Sequence, residues 1–256
     1  MTTPDMAFAS GYDERQPVLV LLDTSESMGR PQESPRIDAL NQRLGAWFEG
    51  VRAQARLRAR IEVCLIAFAT QVDVYHPKLQ RLVPAGERPT DEFFAPVGEL
   101  TPPRLEAGGY TCMAAALRTA LDLARERHEA LRARRVPVRR PFIWMLTDGA
   151  PSDELGYEQS AADLAPLAAR LRAAEQAGEC VLQAIGVAGA DRELLEVLAP
   201  KGTAMLADLD FGQILDHLFT SSDRVDPAAT ADETHAEIAR QAELRRRLTA
   251  MEEGLR

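Results

Sequence analysis

The sequence is short of cysteine, of aromatic residues and of positive charge, and it has no long apolar run. Cys64, Cys112 and Cys180 are the three cysteines in 256 residues, far apart and without a CxxC pair. That excludes a cysteine zinc site and a disulfide framework, and leaves buried reduced thiols. No stretch approaches the roughly 20 apolar residues of a membrane span. The first residues, MTTPDMAFASGYDERQP, have neither a basic start nor an apolar centre, so no secretory signal is expected. Lys and Arg number 30 against 39 Asp and Glu, a formal net charge of −9. That balance speaks against nucleic acid, because phosphate binding needs clustered cations. A GxSxG elbow and a P-loop glycine pattern are also missing. A cytoplasmic protein is expected, with no nucleic-acid and no membrane partner.

What is present is a 46% apolar chain, enough for a full core. Residues 1–15 are polar and unpatterned and read as a flexible tail. Pro17 to Leu22 (PVLVLL), Ile61 to Ala69 (IEVCLIAFA), Phe142 to Leu146 (FIWML) and Cys180 to Val187 (CVLQAIGV) are short continuous apolar runs. Such runs mark strands buried on both faces of a parallel sheet. Gln71 to Tyr75 is placed to pair back on the second run, and Ala204 to Ala207 is a last short strand. Between them lie helical patterns. From about Pro35, Ile37, Leu40, Leu44, Trp47, Phe48 and Val51 recur at three- and four-residue steps, with Ser34 as the expected cap. Further helices are expected at 111–131, 162–177, 191–198 and 211–219. Residues 76–110 are rich in Pro and Gly, with one short helix near Asp91 to Phe94.

The alternation predicts an α/β fold: a doubly wound, mostly parallel central sheet with one antiparallel edge strand and helices on both faces. The main domain would span 16–222. Residues 223–256 would form a linker and an amphipathic C-terminal helix carrying Leu244, Leu248, Met251 and Leu255 on one seam.

In such sheets, sites lie at the carboxyl ends of the strands near a switch in strand order. Three polar groups fall there. Asp23, Ser25 and Ser27 follow the first strand, and in an extended loop residues two apart point the same way. Thr111 follows Gly108-Gly109 and opens a helix. Asp148 ends the FIWML strand. Two carboxylates and three hydroxyls form an all-oxygen set, suited to a hard cation: Mg²⁺ first, then Mn²⁺ or Ca²⁺. Each piece alone has a plainer reading, since Ser and Thr after a strand often cap helices and Asp often shapes turns. Five oxygen residues in order at three element ends favour the metal.

DTSESM after VLVLL, GGYT opening a helix, and LTDG after FIWM resemble the metal-ion-dependent adhesion site of von Willebrand factor A (VWA) domains, over about residues 17–220. The resemblance implies that Ser25 and Ser27 ligate the metal directly. It implies that Thr111 ligates directly or through water, and that Asp23 and Asp148 act mostly through water. A partner protein's acidic side chain would fill an open position. TDGAPSDE and the body of the chain look most like the bacterial tellurium-resistance type of VWA protein. That implies kinase- or phosphatase-like partners in a stress response. Two departures stand out. Glu26 replaces the usual middle glycine and adds negative charge to the rim, and Tyr110 precedes Thr111, where it packs or lines the rim. Asp153 is a further rim candidate or a turn residue.

Arg132, Arg134, Arg135, Arg139 and Arg140 cluster in a connection at the end opposite the metal. They read as a solvated loop or as a surface for an anionic partner. His76, His128, His217 and His235 show no metal spacing and read as surface or satisfied residues. Three functions compete. One is a non-catalytic, metal-dependent binding module. Another is a Mg²⁺-dependent phosphoryl hydrolase with Asp23 as nucleophile, although the usual second Asp two residues on is replaced by Ser25. The third is a regulatory subunit of an ATP-driven machine.

Overall fold

The structure is a computed structural model, and it describes residues 14–205, 226 and 228–254. Eight strands of these residues form one sheet. They are β1 (Gln16–Asp23), β2 (Ile61–Phe68), β3 (Val72–His76), β4 (Arg81–Pro84), β5 (Ala95–Pro96), β6 (Phe142–Thr147), β7 (Val181–Gly186) and β8 (Thr203–Met205). The order is β4-β3-β2-β1-β6-β7-β8, with β5 beside β2. From β2 through β1, β6 and β7 to β8 the strands are parallel, while β3 and β5 pair antiparallel with β2, and β4 pairs antiparallel with β3 at the edge. The chain builds outward from β1 to β4, then returns to place β6 on the other flank of β1. The order therefore reverses between β1 and β6, which opens a crevice at their carboxyl ends.

The helices are α1 (Arg36–Arg52), α2 (Ala55–Arg60), α3 (Met113–Ala133), α4 (Ala161–Gln176), α5 (Arg192–Leu198) and α6 (Ala231–Gly254). All eight residues of β1 are buried, as a strand covered on both faces must be. Val18, Val20 and Leu22 face the layer that holds Leu40, Leu44, Trp47 and Phe48 of α1. Leu19 and Leu21 face the other layer, with Leu117 and Leu121 of α3 and Leu167 and Leu171 of α4. Each fully buried Leu or Val contributes about 1.5–3 kcal/mol by leaving water. The six apolar residues expected on one face of α1 are all buried.

Several local expectations are corrected. Residues 76–110 hold two short strands as well as a single 3-10 turn, Thr90–Glu92. Both strands add to the antiparallel edge, where backbone pairing outweighs weak side-chain patterning. Ser34 does not cap α1: Pro35 takes the cap position, and no side chain bonds the first free N–H groups. The expected tail is fixed at its end, since Arg15 bridges to Val138 and the Arg139 Nε donates to Glu14 Oε2 at 2.6 Å. The arginine-rich connection is thus tied to the body at several points. Arg134 also pairs with Asp91, and the Arg140 Nε donates to the Gly178 carbonyl. The helix expected at 211–219, the seam side chains from Leu244 onward, His217 and residues 1–13 lie outside the described residues.

The C-terminal helix begins earlier than its apolar pattern suggests. Thr230 and Glu233 form a reciprocal cap: the Glu233 N–H donates to Thr230 Oγ1 at 3.2 Å, and the Thr230 N–H donates to Glu233 Oε2 at 2.7 Å. The helix lays Ala231, Thr234, His235, Ile238 and Gln241 into the body. His235 has two partners, Gln183 Nε2 at 2.8 Å from its Nδ1 and Glu175 Oε1 at 2.8 Å from its Nε2. His76, also buried, meets Glu92 Oε2 at 2.9 Å. Both histidines therefore have carboxylate partners that spacing alone does not reveal. Replacing His235 by Ala strands two buried polar groups, at a cost of about 1–3 kcal/mol. Amide hydrogen exchange along 231–243 should then quicken about tenfold or more, with that of β1 and β6 little changed. Unchanged exchange in the helix would remove His235 as its anchor.

Candidate metal centre

β1 delivers Asp23 at its last position, and β6 delivers Thr147 at its own. The register pairs Leu22 with Leu146, so Asp23 and Asp148 emerge side by side from adjacent parallel strands. The chain after Asp23 turns at once into a 3-10 segment, Glu26–Gly29, which folds the two serines back over the strand ends. Thr111 arrives from the start of α3.

Hydrogen bonds knit these groups together. Asp23 Oδ1 accepts the Ser25 N–H at 2.8 Å, and its Oδ2 accepts the Thr147 hydroxyl at 2.5 Å. The Ser25 and Ser27 hydroxyls are 3.0 Å apart, and the Ser27 hydroxyl donates to Asp148 Oδ1 at 2.6 Å. Thr111 is held by Ser152 in both directions, N–H to Oγ and carbonyl from N–H, each at 2.9 Å. A Cβ on Gly149 would stand 3.0 Å from Thr111 Oγ1 and 3.6 Å from Ser27 Oγ. The missing side chain keeps the space between those two hydroxyls open. All five expected ligands thus gather at one place.

Burial pushes the Asp23 carboxyl up from its ordinary 3.8 to about 6, and the nearby Asp148 charge adds to that. Hydrogen bonds from Ser25 and Thr147 pull the other way. A desolvated carboxylate beside a second one is a place where a divalent cation relieves strain on the charge. Among the described residues no group of three or more His, Cys, Asp or Glu is placed to hold a metal. The centre rests instead on two carboxylates and three hydroxyls, an all-oxygen set that fits a hard divalent cation.

The rim takes a definite form. Glu26 points outward and pairs with Arg30 at 2.9 Å, so its charge is answered locally. Asp153 Oδ1 accepts the N–H groups of Leu155 and Tyr157, both at 2.9 Å, and so shapes the loop rather than facing the cradle. Tyr110 does both things expected of it. Its ring lies on Gly156, where an added Cβ would come within 2.6 Å, yet the residue remains 49% exposed. Leu155 and Tyr157 are 74% and 70% exposed, so an apolar rim stands beside Thr111.

Arg36, Thr147, Gly149 and Ser152 complete the centre; Thr147 and Gly149 stand in the LTDG motif without a role of their own, and no part in the centre is expected of Arg36 or Ser152. Thr147 and Gly149 flank Asp148, and Ser152 lies four residues on, which is a local signal. Arg36 gives none. Its Nη1 donates to Asp148 Oδ2 at 2.8 Å across 112 residues of chain.

The Asp23 shift has a consequence for stability in chelator. The folded state holds this proton more tightly than the unfolded one, so the group costs stability as pH rises from 3.8 to about 6, and costs nothing below. The full cost above that window is about 3 kcal/mol. Urea unfolding should show Asp23→Asn gaining on the wild type between pH 4 and 7. A difference independent of pH would contradict the shift.

No protein-family model matches the sequence, and no curated protein matches it. Solved structures do. A von Willebrand factor type A protein from Catenulispora acidiphila aligns at 16% identity and a TM-score of 0.51, covering 82% of this chain and 43% of that one. The pilus adhesin SpaC of Lactobacillus rhamnosus GG aligns at 15% identity and a TM-score of 0.53, covering 81% of this chain and 30% of that one. This chain spans less than half the length of either protein. At such identities the likeness concerns the backbone alone. Taken with the strand order and the antiparallel edge, it shows that this chain has the von Willebrand factor type A fold.

Proposed function

We propose that this chain is a divalent-metal-dependent protein-binding module. The observation that carries the reading is the meeting of Asp23, Ser25, Ser27, Thr111 and Asp148 at the switch between β1 and β6. Ser25, Ser27 and Thr111 would hold the ion, with Asp23 and Asp148 acting behind them. Mg²⁺ is the first candidate, with Mn²⁺ and Ca²⁺ after it. With two carboxylates only, the bound ion keeps affinity for one more anionic ligand. An acidic side chain from a partner protein supplies it, and Tyr110, Leu155 and Tyr157 offer that partner an apolar contact beside the ion.

The role is binding and not catalysis. Asp23, the residue a hydrolase would use as nucleophile, is fully buried, and both of its oxygens accept hydrogen bonds. A nucleophile needs a free lone pair facing its substrate. The TDGAPSDE segment, Thr147 to Glu154, favours a bacterial stress system of the tellurium-resistance type, with kinase- or phosphatase-like proteins in the cytoplasm as partners.

Saturating Mg²⁺ or Mn²⁺ should raise the melting temperature of the wild type. Ser27→Ala should weaken metal binding about tenfold or more, and Asp23→Ala should abolish the thermal shift. Affinity capture from the native host should lose its partner on adding chelator, and lose it equally with Ser27→Ala. A partner retained in both cases, or a wild type whose melting ignores divalent ions, rules the reading out.

A further inference from the structure

Asp148 lies in the crevice beside Asp23, and its side chain is wholly inaccessible. One oxygen accepts the Ser27 hydroxyl, and the other accepts Arg36 Nη1 at 2.8 Å. The same guanidinium nitrogen reaches the Ser27 carbonyl at 3.4 Å. So one arginine touches two of the five residues of the centre, from a side chain only 22% exposed.

The place of this arginine is unusual on local grounds. Arg36 is the first residue of α1, where the helix dipole disfavours a cation, and Pro35 before it offers no side-chain cap. Nothing in α1 itself rewards a positive charge there. The buried Asp148 carboxylate does, since an unpaired buried charge is costly.

We propose that Arg36 is a resident counter-cation, which neutralises Asp148 in the metal-free protein and competes with the divalent ion for it. The inference rests on the metal reading above. An ion drawing on Asp148 must share or displace a charge-assisted hydrogen bond, so Arg36 raises the metal concentration at which the centre fills. Once released, its guanidinium stands beside the ion with its donors free for the carboxylate that completes the site.

Titration calorimetry with Mn²⁺ alone tests this on the wild type, Arg36→Gln and Arg30→Gln. The last removes an equal charge from the nearby rim. Arg36→Gln should bind Mn²⁺ about tenfold or more tightly, the effect of losing one competing charged hydrogen bond. Arg30→Gln should stay within about twofold, as an exposed charge in screened solvent does. In chelator Arg36→Gln should melt below the wild type, and saturating Mn²⁺ should close that gap. Equal or weaker binding by Arg36→Gln, with wild-type binding intact, overturns the proposal and leaves the metal centre standing. Binding by none of the three overturns both. Should Arg36→Gln fail to fold, the wild type still decides. Its Arg36 Nε–H resonance, assigned by its loss in Arg36→Lys, should move on titration with Mg²⁺. A resonance unmoved at saturation overturns the proposal.

Discussion

β1 and β6 lie side by side and parallel, and each brings a carboxylate out of water at its carboxyl end. Asp23 is the last residue of β1, and Asp148 follows the last residue of β6. Two acids desolvated together are unstable unless something answers them. Much of the local structure is that answer. Thr147 and the Ser25 N–H bond to Asp23, while Ser27 and Arg36 bond to Asp148. The tight turn after β1, the open space at Gly149 and the pairing of Thr111 with Ser152 all serve to bring further oxygens to the same spot.

The sheet makes this juxtaposition rigid. β1 is buried along its whole length between the α1 layer and the layer of α3 and α4, so the strand end cannot drift without exposing core on both faces. The rim is set differently. Asp153 folds its loop by accepting two backbone N–H groups, and Gly156 receives the Tyr110 ring. The Tyr110 ring is thus seated against the loop that Asp153 folds.

At the far end of the sheet, charge is used for fastening. Glu62 on β2 is buried against Arg127 of α3, with Nε and Nη2 bonds of 2.9 and 2.6 Å, and Arg15 lies 3.7 Å away. Arg127 and Arg134 share Asp91. The arginine-rich connection before β6 belongs to this framework, so its charge serves the fold as well as the surface. The C-terminal helix is fastened to the opposite edge by His235, whose carboxylate partner Glu175 also accepts the Leu182 N–H at 2.8 Å.

The sequence alone determined the layers and the cradle. Continuous apolar runs can be buried only as central strands, and the steps of α1 allow one inward face, so Val18 to Leu22 and Ile37 to Val51 are legible at sight. The five oxygen residues are legible as well, because each stands at the end of a strand or the start of a helix. Short-range cues stop there. The strands at 81–84 and 95–96 depend on an edge already formed, and their own patterning is too brief to announce them. Only the tertiary structure decided that Arg36 meets Asp148, that Tyr110 lies on Gly156, and that His235 joins Glu175 to Gln183. Each of these contacts joins residues dozens of positions apart, and its strength comes from burial, which no stretch of sequence contains by itself.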